Sequence, residues 1–141
     1  MNDSTMINYI RQNVDMGITG IQKVIPHAHA TNFLGALQSE LKEYQLLSSE
    51  ADTMLGEIGA KEVNLPMMAR MGSDLMTTVK CMTYGSDSEI AEDMIKGTMT
   101  GITKLTKHLG EYGDGNGRVT SLARRVIEFE ENNIQEMKKY L

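Results

Sequence analysis

The sequence predicts an all-α protein, an antiparallel four-helix bundle with a short fifth helix in the crossover between its two halves. Three observations carry that expectation. Apolar residues recur at alternating spacings of three and four over four long stretches, the period of a packed helix face. Turn signals fall between the stretches, most clearly at 26–30, 85–88 and 113–117. The only two prolines, Pro26 and Pro66, stand where one helix must end and another begins. At 141 residues, 1–141 reads as a single domain with enough chain to bury a core without staples.

The first helix starts at Asp3 or Ser4 as N-cap and carries Ile7, Ile10, Val14, Gly17, Ile21 and Val24 on one stripe. Pro26 stops it. The second helix, residues 31–58, is the longest element, about 42 Å at 1.5 Å per residue. Its expected core stripe is Leu34, Leu37, Leu41, Tyr44, Ser48, Ala51, Leu55 and Ile58, with Thr31 as cap and Gly59 as the residue that ends it. A shorter amphipathic helix follows over 65–84, opened by Pro66 and striped by Leu65, Met68, Met71, Leu75, Val79 and Met82. Gly85-Ser86-Asp87-Ser88 breaks it and recaps a helix over 88–112, where Ala91, Ile95, Thr98, Ile102, Leu105, Leu109 and Tyr112 recur at heptad spacing. After the glycine-rich loop 113–117, the last helix, 118–140, packs through Val119, Leu122, Val126, Phe129 and Met137. Leu41 and Phe129 are accordingly expected in the core.

Composition is informative mostly by exclusion. The net charge of −5, with no basic run beyond Arg124-Arg125 and Lys138-Lys139, argues against nucleic acid or an anionic membrane as partner. No apolar run approaches the ~18 residues of a membrane span, and Met1-Asn2-Asp3-Ser4 carries no basic leader. A lone cysteine, Cys81, excludes an internal disulfide and fits a reducing cytoplasm. The 12 methionines suit irregular cores and adaptable surfaces equally. Met67 and Met76 flank the 65–84 stripe, which suggests cover by a second copy of the chain and hence a homodimer, or a protein partner.

Candidate chemistry is sparse. His27-Ala28-His29 offers two metal ligands in a turn but no third nearby, and His108 reads as a boundary residue beside Leu105 and Leu109. Cys81 lacks an activating histidine. The loop 113–117 is not followed by Gly-Lys-Ser/Thr, and Asp114 would repel a phosphate.

The layout of two long helices, a long connection and two more long helices, with Asp15-Met16-Gly17-Ile18-Thr19-Gly20-Ile21, the break and recap over 82–93 and Lys96-Gly97, resembles the ferritin-like superfamily. It is closest in plan to small stand-alone bacterial bundles with a degenerate di-metal site, not to cage ferritins. The resemblance implies two inward carboxylates and two Glu-x-x-His motifs holding a pair of metal ions. This chain departs from that pattern on every helix. Gly17-Ile18 and Gly97-Thr98 replace the single carboxylates, while Glu40-x-x-Glu43 and Glu128-x-x-Glu131 lack the histidine. All four glutamates fall off the expected stripes, where burial unpaired would cost several kcal/mol each.

The reading that follows is a non-catalytic bundle with a structural or protein-interaction role, no catalytic or cofactor-binding residues and no metal. The alternative is a di-iron carboxylate type protein, an oxidoreductase or iron-binding protein, with Glu40, Glu43, Glu128 and Glu131 holding iron or manganese. A small-ligand pocket between helices is a third possibility. Gly17, Gly20, Gly97 and Gly101 each cost about 1 kcal/mol in a helix interior. Two explanations compete: a close approach of the first and fourth predicted helices that pinches the bundle shut, or room for large neighbours such as Met94, Met99 or Tyr44.

Overall fold

The computed structural model describes residues 1–59 and 84–141. All regular structure among them is helical, with no strand: α1 (Asp3–Val24), a 3-10 turn (Ile25–His27), α2 (Thr31–Glu57), α3 (Asp87–Tyr112) and α4 (Gly117–Lys138). The expected helix over 65–84, with Pro66, Met67, Met76 and Cys81, lies almost wholly outside the described residues. No helix among the described residues is long and apolar enough to cross a membrane.

Local chemistry sets each boundary. Asn2, one residue earlier than expected, caps α1 by accepting from the Thr5 amide at 2.8 Å. The α2 N-terminus has no side-chain cap from Thr31, because Ala30 occupies the cap position. The amides of His29 and Ala30 instead donate to the two oxygens of Asp87, at 2.8 and 2.9 Å. Gly59, at φ 67°, ends α2 in the left-handed conformation glycine adopts without strain. Ser86 caps α3, and Glu89 reaches back to the Gly85 amide at 2.8 Å, a reciprocal pair that satisfies two donors. Gly113, at φ 66°, closes α3. The Tyr112 hydroxyl then accepts from the Asn116 amide at 2.7 Å, packing where a side chain on Gly115 would collide. The glycine loop is therefore a folded corner.

Two antiparallel hairpins, α1–α2 and α3–α4, make the fold. They meet mainly along α1 and α3, and less extensively between α1 and α4 and between α2 and α4. Cross-bundle contacts fix the directions. Asp3 meets Tyr112, Tyr9 stacks on His108, and Asn13 bonds to Gly101, so α1 and α3 are antiparallel. Glu57 pairs with Arg118, Glu50 with Arg125, and Tyr44 with Glu130, so α2 and α4 are antiparallel as well. All four lateral neighbours thus run in opposite directions, and α2 ends at one pole while α3 begins at the other.

The core confirms the first helix's stripe at Ile7, Ile10, Val14, Ile21 and Val24. It corrects the second. The buried series on α2 is Phe33, Leu37, Glu40, Tyr44, Leu47, Ala51 and Met54, with Leu55 beside it. Leu34, Leu41 and Ser48 lie at its edge, half-buried, and Ile58 is exposed. The two stripes share Leu37, Tyr44, Ala51 and Leu55, and the third buried position is the acid Glu40 where Leu41 was expected. On α4 the same happens: Val119, Leu122 and Val126 are buried as expected, but the line continues through Glu130, Asn133 and Met137 and leaves Phe129 half-buried.

Candidate functional site

A cavity of about 100 Å³ opens between α1 and α3, the two helices that join the hairpins. Gly17, Gly20, Gly97 and Gly101 all line it. The expected pinch is therefore absent: a Cβ on Gly97 or Gly20 would meet nothing within 4 Å among the described residues. The competing explanation, room for a large neighbour, holds for Gly17. A Cβ on Gly17 would lie 2.5 Å from the Tyr44 ring, and one on Gly101 would lie 3.0 Å from the Asn13 amide nitrogen. Gly17 makes room for a tyrosine crossing the bundle, and Gly101 lets Asn13 donate to its carbonyl at 2.9 Å.

Tyr44 carries the architecture of the site. Its ring packs edge-on against Phe129, with centroids 4.8 Å apart, and its hydroxyl donates to Glu130 Oε2 at 2.9 Å. Glu130 is 2% exposed, and its other oxygen, Oε1, has no hydrogen-bond partner among the described residues. Burial pushes the Glu130 carboxyl up to about 7, against the opposing pull of the hydrogen bonds from Tyr44 and Asn13. The Tyr44 hydroxyl is held well above its ordinary range, first by burial and then by the neighbouring Glu130 charge. On the other side of the cavity Tyr84 makes a second pair of this kind. Burial and then the adjacent Asp93 raise its hydroxyl to about 12, and the two side chains are hydrogen-bonded. Asp93 Oδ2 and Asn13 Oδ1 are likewise buried without partners. Between these polar groups the wall is apolar, formed by Met16, Val24 and Met94 with the glycine faces.

Comparison with known protein families, with curated proteins and with solved structures returns no match. The site is therefore read from its own chemistry.

Glu43, Glu128 and Glu131 are exposed on the bundle surface. Glu40 is 6% exposed, contrary to the expectation of a solvated face, and lines a separate groove between α2 and α4 with Asn133 and Glu136. Burial, and secondarily the charge on Glu136, lifts its carboxyl to about 8. His27 and His29 are exposed. His108 stacks on Tyr9 at 3.6 Å, the boundary role expected of it. Among the described residues no three His, Cys, Asp or Glu side chains converge.

A di-metal centre of the kind the resemblance implies does not fit this donor set. The level of α1 and α3 where carboxylates would be needed holds Gly17 and Gly97, and the α4 position carries Glu130-x-x-Asn133 with an amide in place of the imidazole. Burial also favours the protonated form of Glu40, the wrong state for binding a metal. Sequence reasoning missed Glu130, Asp93 and Asn13. A signal for Glu130 existed: it stands four residues after Val126 and seven before Met137, on the core line, just as Glu40 stands between Leu37 and Tyr44.

Proposed function

We propose that this chain is a non-catalytic helical bundle of ferritin-like type whose role is to hold a small molecule between its hairpins. The single observation that carries the reading is the cavity of about 100 Å³, with Glu130, whose buried carboxyl keeps one unpartnered oxygen, among its lining residues. A buried polar atom without a partner costs about 1–3 kcal/mol, and such sites persist where a ligand or water completes them. We prefer this reading to the structural or protein-interaction role that the sequence alone favours, because the cavity is a concave, largely apolar space with a few polar groups among its lining residues. Support for the ferritin-like plan comes from the order of helix directions, with two antiparallel hairpins whose connection starts at one pole and arrives at the other. The homodimer and the cytoplasmic setting belong to the same proposal and rest on sequence: Met67 and Met76 for the first, the lone Cys81 for the second.

The test is a titration of labelled protein with a panel of fragments of about four to eight non-hydrogen atoms, the scale that cavities near this size accept. Amide shifts gathered at Gly17, Gly20, Gly97 and Gly101 are expected, and Gly97→Leu, which fills the space, should remove them. A panel that leaves those amides unmoved overturns the reading. Elemental analysis showing about two equivalents of iron or manganese, the stoichiometry of a dinuclear site, would replace it with the metal alternative. Light scattering on the purified chain decides the dimer.

A further inference from the structure

The surface that the cavity leaves accessible narrows the ligand's chemical class, an inference that rests on the small-molecule reading above. That surface is mostly carbon and sulfur. Met16 and Val24 supply it from α1 and Met94 from α3, and the bare backbones of Gly20 and Gly97 leave space beside them. A Cβ at either glycine would meet no described atom within 4 Å, whereas the face of Gly17 is taken by the Tyr44 ring. The polar groups among the lining residues are engaged with one another. Tyr44 donates to Glu130 at 2.9 Å, the Asn13 amide nitrogen donates to the Gly101 carbonyl at 2.9 Å, and Tyr84 is hydrogen-bonded to Asp93. The oxygens left over, Glu130 Oε1, Asp93 Oδ2 and Asn13 Oδ1, have essentially no accessible surface. A guest seated in the cavity therefore touches few groups able to exchange a hydrogen bond.

We propose that the cavity takes a neutral apolar molecule of about four to six non-hydrogen atoms, seated against Met16, Met94 and the open backbones of Gly20 and Gly97. The size follows from the volume. An engineered apolar cavity of about 150 Å³ stays dry and accepts benzene or xenon, so a space of about 100 Å³ suits a slightly smaller guest. The class follows from the wall. Water is a poor occupant there, because ordered water requires two to four polar partners. An ammonium ion or a carboxylate is a worse one, since it would leave its hydration shell and reach no accessible group to replace it.

The two methionines suit such a guest. Each thioether is polarizable, and an unbranched side chain with three rotatable bonds follows an irregular shape. Gly97 sets the upper limit of size, because any side chain there would enter the space the guest uses. So few atoms hold affinity to the micromolar range at best.

The probes are cyclopentane, tetrahydrofuran and pyrrolidine, saturated rings of one size that differ in polarity, the last being a cation at neutral pH. They are titrated into the full-length protein and read by amide shifts at Gly20 and Gly97. Cyclopentane should bind about ten-fold or more tightly than tetrahydrofuran, the low end of what burying an oxygen without a hydrogen bond costs, and pyrrolidinium should not bind. Gly97→Ala, which adds a methyl to the open space without meeting a described atom, should weaken cyclopentane several-fold in protein that stays folded. Glu128→Gln, on the exposed face, is the control and should leave its affinity unchanged. Undiminished binding to Gly97→Ala overturns the seat proposed for the guest. Tetrahydrofuran or pyrrolidinium binding as tightly as cyclopentane overturns the apolar class and leaves the small-molecule reading standing. No shift at the cavity glycines with any of these rings overturns both.

Discussion

Two layers of the bundle, one heptad apart, show how the same helical pattern yields either a sealed core or a cavity. The first contains Ile10, Ala51, Leu105 and Leu122, one from each helix and all buried and apolar. About 10–12 Å along the axis, seven or eight residues at 1.5 Å each, the second contains Gly17, Tyr44, Gly97 and Glu130. The first closes because branched side chains fill the space between four backbones. The second cannot close. Tyr44 crosses over the vacant face of Gly17 toward Glu130, and no described residue fills the space beside Gly97. Helix periodicity decides which positions face inward, while residue volume and polarity decide whether the interior is solid.

The largest expected effect tests the sealed layer. Leu122→Ala should cost about 2–5 kcal/mol in a denaturant titration, the usual range for truncating a buried leucine. Leu41→Ala, at the edge of the α2 stripe, should cost clearly less than Leu37→Ala at its centre. Equal costs would blur the boundary between stripe and flank.

The polar layer and the neighbouring groove should make stability depend on pH in an unusual direction. Unfolded, both carboxyls titrate near 4.5, but folded, Glu40 titrates at about 8 and Glu130 at about 7. The folded state therefore holds more protons across that window. Its advantage is full below 4.5 and is lost as pH rises through 7 and then 8. For each group this is on the order of a few kcal/mol. Unfolding free energies of the wild type minus those of a Glu40→Gln, Glu130→Gln double variant should fall across this range. A flat difference would mean that neither carboxyl is as dry as its surroundings indicate.

Smaller effects separate the two glycines of the open layer. Gly17→Ala should destabilise by about 1–3 kcal/mol, because the added methyl meets the Tyr44 ring, and Tyr44→Leu should relieve most of that. Gly97→Ala should stabilise by about 1 kcal/mol through helix propensity alone. Thermal melts of the two variants moving in the same direction would remove the distinction between a packed glycine and an open one.

The helices were legible from the chain because their ends are written in local chemistry. Gly59, Ser86 with Glu89, and Gly113 each solve a capping problem that depends on a few adjacent residues. The stripes of α2 and α4 were legible only in part, since the apolar rule assigns the inward face to leucine over glutamate wherever they compete. At Glu40 against Leu41, and at Glu130 against Phe129, that rule chose the wrong neighbour. What overrode it is tertiary. Glu130 is inside because Tyr44, 86 residues away in sequence, supplies a donor there. The cavity was less legible still. Gly17 and Gly97 show equally bare positions in the sequence, and only the register of α1 against α3 and Tyr44 tells which one is filled.

The meeting of the hairpins along α1 and α3 also bears on the order of assembly. Each hairpin forms from contacts close in sequence, whereas α1 and α3 join residues such as Asn13 and Gly101, 88 positions apart. Loop-closure entropy delays such distant pairings, so the hairpins should precede their docking on the folding route. The cavity belongs to the docking seam and forms with it. The least-protected cooperative opening of the native state should then be a parting of that seam, with both hairpins intact. A guest in the cavity would come and go through this breathing motion, and its residence time would be set by how often the hairpins part.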